Sequence, residues 1–372
     1  MQKRTNTAKW SDKYKRWQIN VQREGKRKSF YSSTKGRKGQ REANSKADKW
    51  LEYGISSDIK ISELQKIMIE EKWQMKEIGS SRYARYKSIY NCWVSKIGNK
   101  KMSELTEQDI QQVLNTAYKK GKSQGTIKEI KSWFNELCKY GRKRKITTLV
   151  PIDLYIPKQA KKLQKRNTLT DKEINILFSS DIALVYDVPT KDDYIYTYRF
   201  ACVTGLRRGE LIGLQWKDFK QIDNHTIMEI KRSINENREV TEGKTENAKR
   251  NQVLPNIANK ILKQQRELLK ANKIISAYVF PDLDTGDFIT PDKLTRRFNN
   301  YVKYNNLNPK ITLHWLRHTF FTNAYSCIEE RILKKIGGHA KKMDTSIYVH
   351  ETYRELINAS EKIEAVFRYI IK

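Results

Sequence analysis

Forty residues, Ile311 to His350, hold four of the five histidines in the chain. They run Ile311-Thr-Leu-His314-Trp-Leu-Arg317-His318, then a mixed helical stretch, then Ile336-Gly-Gly-His339, and finally Asp344-Thr-Ser-Ile-Tyr348-Val-His350. A guanidinium, several imidazoles and a phenol in one segment suit chemistry on a phosphate, which needs an anionic oxygen held, a proton moved and a nucleophile supplied. His314 and Arg317 are three residues apart and so share a helix face. His314 and His318, four apart, also have a metal-ligand spacing. However, Arg317 lies on the same turn, and there is no His-Glu-x-x-His glutamate or carboxylate cluster nearby to compensate a dication. Neither a metal nor another cofactor is expected.

A second group lies about a hundred residues upstream. A mostly apolar and aromatic helix through Tyr194 to Val203 leads into Thr204-Gly205-Leu206-Arg207-Arg208-Gly209-Glu210-Leu211. Gly205 breaks the helix, and a new one starts near Arg207 and buries Leu211 and Leu214. Residues 226–234 alternate as a strand and Asn251 to Leu254 return as another. The polar stretch Glu242-Gly243-Lys244-Thr245-Glu246-Asn247 between them puts Lys244 at or near the tip of a hairpin, with Lys249 and Arg250 on the same hairpin.

These residues need a scaffold, and composition bounds it. The 372-residue chain carries 74 Lys and Arg against 42 Asp and Glu, a formal charge of +32. Charge of that size implies a polyanionic partner, nucleic acid or an acidic membrane surface. No window approaches eighteen apolar residues, so no membrane span is expected. The basic start, Met1-Gln-Lys-Arg, has no apolar run behind it to act as a secretory signal. Cys92, Cys138, Cys202 and Cys327 lack any CxxC pairing and are expected as buried thiols of a cytosolic protein. The charge is uneven: residues 1–166 hold 41 Lys and Arg against 16 Asp and Glu, leaving 33 against 26 for the rest. The first part is expected to bind, and the second, nearer neutral, to hold the enzyme site.

The elements follow in order. Trp17, Ile19 and Val21 alternate with Gln18, Asn20 and Gln22, Glu24-Gly25 makes a turn, and Arg27 to Ser32 return as a second strand. A helix with Ala43, Ala47, Trp50 and Leu51 on one face completes a small domain over residues 1–55. Its outer sheet face carries Lys and Arg suited to a DNA groove. Residues 60–145 form four amphipathic helices. Their stripes are Ile61/Leu64/Ile67/Met68, Tyr83/Tyr86/Tyr90/Trp93, Ile110/Val113/Leu114/Ala117 after an N-cap at Thr106, and Ile127/Ile130/Phe134/Leu137. The aromatic stripe sits at core spacing and is expected to be core. Residues 146–167, with Pro151, Pro157 and a run of Lys and Arg, are expected as a basic linker. Residues 168–372 open on a helix capped by Thr170 with Glu173, continue helically over Ile257 to Ala271 and Lys293 to Tyr304, and end in an amphipathic helix, Glu351 to Ile370. That last helix can pack on its own core or on a neighbouring copy. The fold class is therefore multidomain and mainly α: a small N-terminal sheet plus helix, a helical domain, and a mixed, mostly α domain with a small sheet.

In order and spacing, Thr204-Gly-Leu-Arg207-Arg-Gly-Glu210-Leu, Gly243-Lys244-Thr245, His314-Trp-Leu-Arg317-His318, Gly338-His339 and Tyr348-Val-His350 resemble the tyrosine recombinases, the integrases of phages and conjugative transposons. The resemblance covers the half from about Thr168 onward. It implies a site-specific recombinase of a mobile element that cuts and rejoins DNA through a 3′-phosphotyrosine and a Holliday junction, for integration and excision, with neither metal nor ATP. Tyr348 would be the nucleophile. Arg207 and Arg317 would grip the non-bridging oxygens, and Lys244 would protonate the 5′-oxygen, with Lys249 and Arg250 as rivals for that role. His314 would be general base or phosphate contact and His339 a hydrogen-bond donor to phosphate. Glu210 would buttress an arginine or merely stabilise its helix, and Lys341 and Lys342 would be solvated or on phosphate. The upstream layout is similar to the long integrases: residues 1–55 would bind arm-type sites and residues 60–145 the core site. The implied partners are double-stranded DNA, three further copies in a tetramer, and an excisionase or host DNA-bending protein, in the cytoplasm and nucleoid of a prokaryotic host. A type IB topoisomerase could use the same residues, but the two front domains argue against it. A non-catalytic DNA-binding regulator could keep the fold but has no need of Tyr348.

Overall fold

The alternation at residues 16–32 becomes a sheet. In the computed structural model, which describes residues 4–23, 25–53, 58–158, 168–241, 249–338 and 349–371, β1 (Lys9–Ser11), β2 (Arg16–Arg23) and β3 (Lys26–Ser32) pair antiparallel in that order, with Trp17 opposite Ser32 and Ile19 opposite Phe30. Helix α1 (Gly36–Tyr53) covers one face, burying Ala43, Ala47, Trp50 and Leu51 against Ile19, Val21 and Phe30. Two alanines on the inner stripe let the helix axis approach the sheet closely, while Trp50 fills the space beyond them.

The next core belongs to α2 (Ile61–Gln74), α3 (Ser80–Ile89), α4 (Glu107–Lys119) and α5 (Gln124–Lys143), with α3 running on through a π turn at Tyr90–Val94. Thr106 caps α4 as expected: its hydroxyl accepts from Asp109 N at 3.2 Å, and the Asp109 carboxylate accepts from Thr106 N at 2.8 Å. Tyr86 is buried, and Tyr83, Tyr90 and Trp93 pack against the same core, so the aromatic stripe is structural. Residues 146–158 lie along this bundle. Lys131 Nζ donates to Leu154 O at 2.6 Å, Gln111 accepts from Tyr155 N at 3.1 Å, and Leu154 is buried. The chain divides into two compact units, Met1–Leu163 and Gln164–Lys372.

In the second unit α6 (Asp171–Ser179) starts at the expected Thr170–Glu173 box. It is followed by the hairpin β4 (Ile182–Val185) and β5 (Val188–Lys191), then α7 (Ile195–Thr204), with all ten residues buried, and α8 (Arg208–Ile212). Strands β6 (Phe219–Ile222), β7 (His225–Ile230) and β10 (Arg250–Val253) form an antiparallel sheet in the order β10-β7-β6. The single strand expected over 226–234 is broken at Lys231–Arg232, because the Arg232 guanidinium turns back to Asp218 (Nη2 to Oδ1, 3.0 Å) and to Gly213 O. Beyond the break β8 (Ser233–Ile234) pairs with β9 (Val240–Thr241). Helices α9 (Asn256–Ala271), α10 (Pro291–Tyr304), α11 (Leu313–Tyr325), α12 (Glu330–Gly337) and α13 (Val349–Ile370) complete the unit.

Of the two placements open to the last helix, the structure has the first. Leu356, Ala359, Ile363, Phe367 and Ile370 of α13 are buried in the unit's own core, and the Glu364 carboxylate accepts from Ile257 N, at the start of α9, at 2.7 Å. Among the described residues no helix is long and apolar enough to cross a membrane.

Candidate active site

Arg207 owes its position to a helix end. Helix α7 stops at Gly205, whose φ of +68° is left-handed and whose missing Cβ leaves room for the Phe320 ring of α11. Two residues on, Arg207 is extended (φ −70°, ψ 150°) and forms the N-cap of α8. Glu210, in the first turn of α8, accepts from Arg207 N at 2.9 Å through Oε2 and from Arg207 Nη1 at 2.8 Å through Oε1. Of the two readings for Glu210, the geometry therefore has both: it caps the helix and holds an arginine.

Glu210 has a second cation, one of the two residues that rival Lys244 as proton donor in the sequence. Arg250, the first residue of β10, donates from Nη1 to Oε1 and from Nη2 to Oε2, both at 2.9 Å, and from Nε to Ile336 O at 2.6 Å. Burial alone would raise the Glu210 carboxyl, but the hydrogen bonds and charge of Arg250, with the help of Arg207, hold it down at about 2. The side chains of Glu210 and Arg250 are 6% and 7% exposed, whereas that of Arg207 is 36% exposed. Arg207 is thus the cation of the trio that solvent, or a phosphate, can reach. Alternation along β10 was the available signal for Arg250: it shares the inward face with buried Gln252, whose Nε2 donates to Thr204 O at 3.1 Å.

Arg317 lies on α11, 4% exposed. Its Nη1 donates to Gly205 O at 2.6 Å and its Nη2 to Gly337 O at 2.9 Å, and its guanidinium stacks 4.7 Å from the Phe321 ring centre. Both carbonyls end helices, α7 and α12, where the peptide dipoles leave partial negative charge. His314, one turn earlier on α11, is exposed, and its ring lies 4.4 Å from that of half-buried His318, edge to face. Among the described residues no group of three or more His, Cys, Asp and Glu could hold a metal ion.

Lys244, His339 and Tyr348, together with Lys341 and Lys342, lie outside the described residues. The described ends of their segments are held in place. On the Lys244 side, β8 packs against α8 so closely that a Cβ on Gly209 would collide with Ser233 Oγ and Ile234 O, and Thr241 Oγ1 donates back to Ser233 O at 2.9 Å. On the other side stands Arg250. The segment with His339 and Tyr348 departs from α12, whose last two carbonyls, Ile336 and Gly337, are held by Arg250 and Arg317. Burial pushes the Cys138 and Cys202 thiols up to about 12, so neither offers a thiolate nucleophile at neutral pH.

A sequence profile of the phage integrase family matches residues 167–355. Over 99% of the chain, and the whole of the other protein, the sequence is 26% identical to a XerC-like tyrosine recombinase of Caldanaerobacter subterraneus subsp. tengcongensis. It is 24% identical to the integrase of Staphylococcus phage L54a, over 85% of this chain and 91% of that one. Among solved structures, the fold is similar to a fragment of the Tn1549 transposon integrase in complex with transposon right-end DNA (TM-score 0.63, 18% identity, 82% of this chain and 99% of that one). It is also similar to a lambda integrase tetramer bound to a Holliday junction (TM-score 0.58, 15% identity, 92% and 98%).

Proposed function

The chain belongs to the phage integrase family of tyrosine recombinases and is a site-specific DNA recombinase, and we propose that it cuts one strand at a time with Tyr348, as the integrase of a mobile element. The observation that carries the residue assignment is the convergence at Gly205: Arg317 holds its carbonyl from 112 positions away, two residues before Arg207. Two guanidiniums from remote parts of the chain are thereby tied to one corner, with the exposed one facing outward.

In the proposed step the Tyr348 oxygen attacks the scissile phosphorus and its proton passes to His314. The bond from phosphorus to the 5′-oxygen breaks, and that oxygen leaves as a hydroxyl with a proton from Lys244. A phenol with an ordinary pKa of about 10 needs cationic neighbours for this. Arg207 and Arg317 meet the charge that grows on the non-bridging oxygens, with His339 as a further donor. The phosphotyrosine conserves the energy of the broken ester, so a 5′-hydroxyl of the partner strand reverses the step without ATP.

The same reading assigns residues 1–55 to arm-type sites, 60–145 to the core site, 146–167 to a basic linker and 168–372 to catalysis. The outer face of the first sheet supports it: Gln18, Asn20 and Gln22 stand in a row between Arg16 and Arg27, and amide side chains pair with adenine edges in the major groove. Four copies on two duplexes would exchange strands through a four-way junction, as the junction-bound lambda integrase tetramer suggests. One chain bridging arm and core sites requires the DNA between them to bend, which is why a host DNA-bending protein or an excisionase belongs in the scheme. The setting would be the nucleoid of a prokaryotic cytoplasm.

A nicked suicide substrate carrying the core site tests the reading. A covalent protein–DNA adduct should form in the presence of a chelator and be absent with Tyr348→Phe. An adduct that persists in that variant would remove Tyr348 from the role.

A further inference from the structure

One carboxylate shared by two guanidiniums is an electrostatic device. Arg207, Glu210 and Arg250 together carry one net positive charge, and Arg207 is the member that reaches solvent. Remove Arg250 and the buried Glu210 carboxylate has Arg207 as its remaining partner in the trio. The pair is then neutral, and the force drawing Arg207 inward is the cost of an uncompensated buried charge. Arg250 also spans two segments at once. It holds both oxygens of Glu210 at 2.9 Å and Ile336 O at 2.6 Å, and it lies six positions after Lys244 in the chain.

We propose that Arg250 is a positioning residue for strand cleavage: by neutralising Glu210 it leaves the Arg207 guanidinium to the scissile phosphate. This rests on the recombinase reading above. It also withdraws Arg250 from the proton-donor role that the sequence left open. A guanidinium stays protonated, and this one is turned into a buried ion pair rather than toward a leaving group.

The test compares two suicide substrates, one with an ordinary phosphodiester and one with a neutral methylphosphonate at the scissile position. The neutral group has one anionic oxygen fewer and makes less demand on Arg207. Adduct formation by Arg250→Met should fall about 100-fold on the phosphodiester, the loss expected for one oxyanion donor. On the methylphosphonate it should stay within a few-fold of the unsubstituted protein. The double variant Arg250→Met/Glu210→Gln should regain at least about ten-fold on the phosphodiester, because Arg207 no longer faces an unshared carboxylate. Arg250→Lys, which keeps the charge but not the two-oxygen grip, should lie between. Equal losses on both substrates, or a double variant worse than the single one, would reduce Arg250 to scaffold and overturn the proposal. Should Arg250→Met not fold, the substrate comparison with Arg250→Lys decides on the same terms. If the unsubstituted protein forms no Tyr348-dependent adduct, the assignment of Tyr348 as nucleophile, on which this proposal rests, falls instead.

Discussion

The guanidinium of Arg317 donates to the carbonyl of Gly205 at 2.6 Å, across 112 positions of sequence. That bond and its twin to Gly337 O at 2.9 Å join the ends of α7 and α12, from which the two halves of the proposed site depart. Lysine has no planar fork and cannot span two carbonyls in this way. Arg317→Lys should therefore destabilise the catalytic unit by about 2 kcal/mol or more, the loss for a hydrogen bond to a charged group, and abolish adduct formation. Thermal unfolding read beside the suicide-substrate assay checks both. A variant with unchanged melting would break the link between the clamp and the fold.

Gly205 itself carries two demands, a left-handed φ of +68° and close packing with the Phe320 ring. Gly205→Ala should cost roughly 1–2 kcal/mol for the backbone and a further 1–3 for the crowding. In the Gly205→Ala/Phe320→Leu pair the crowding part should be relieved and the backbone part retained. Denaturant titration of both variants against Phe320→Leu alone separates them, and simple additivity would contradict the close packing.

The Glu210 carboxyl sits at about 2 in the fold, below its ordinary 4.5. A depressed acid contributes stability above its unfolded pKa and loses it as the pH falls toward its folded one. The contribution, on the order of 3 kcal/mol, should thus be complete at pH 7 and vanish between pH 4.5 and pH 2. Glu210→Gln should be less stable than the parent at neutral pH, and the gap should close across that acid window. A gap that stays constant with pH would show that the ion pairs with Arg207 and Arg250 do not stabilise the fold.

What the sequence made legible is what depends on neighbours in the chain. Thr106 with Asp109 and Thr170 with Glu173 cap helices because the partners are three residues apart. Gly205 stops α7, and the His314–Arg317 spacing sits on one helix, by the same local rules. The misses are the non-local ones. The β4–β5 hairpin turns through Tyr186 and Asp187, both at positive φ, without the glycine that usually marks such a turn. The break between β7 and β8 answers to Asp218, fourteen residues back from Arg232. Arg250 finds its meaning in Glu210, forty residues away, and in Ile336, eighty-six away. Its inward alternation with Gln252 was visible in the sequence, but the carboxylate it would meet was not.

Docking α13 on its own unit makes the end of the chain part of the core. Phe367 is 1% exposed, and Glu364 caps the start of α9 at Ile257 N. Phe367→Ala should cost about 3–5 kcal/mol, and Glu364→Ala about 1 kcal/mol, the usual loss for an N-cap. Limited proteolysis should then cut Phe367→Ala within α13 at protease levels that leave the parent whole. Equal resistance would mean that the helix can leave this core without loss.

The basic front of the chain should reveal its DNA contacts through salt dependence. Residues 1–54 hold 16 Lys and Arg against 5 Asp and Glu, and their sheet and helix enclose an apolar cluster of their own. If this piece lies on arm-type DNA, each phosphate it neutralises adds about −0.9 to the slope of log affinity against log salt. Deleting residues 1–55 should flatten that slope by several units on DNA carrying the accessory site, and change it little on a bare core site. Gln18→Ala and Asn20→Ala, whose amides carry no charge, should leave the slope unchanged while reducing discrimination between accessory sequences, by about 1–3 kcal/mol for each amide that pairs with a base edge. Anisotropy titrations over roughly 50 to 200 mM salt, the range in which phosphate-driven affinity changes most, read both quantities. An unaltered slope after the deletion would take the sheet off the DNA, and a slope that falls with the amide variants would mean they act on the fold rather than on the bases.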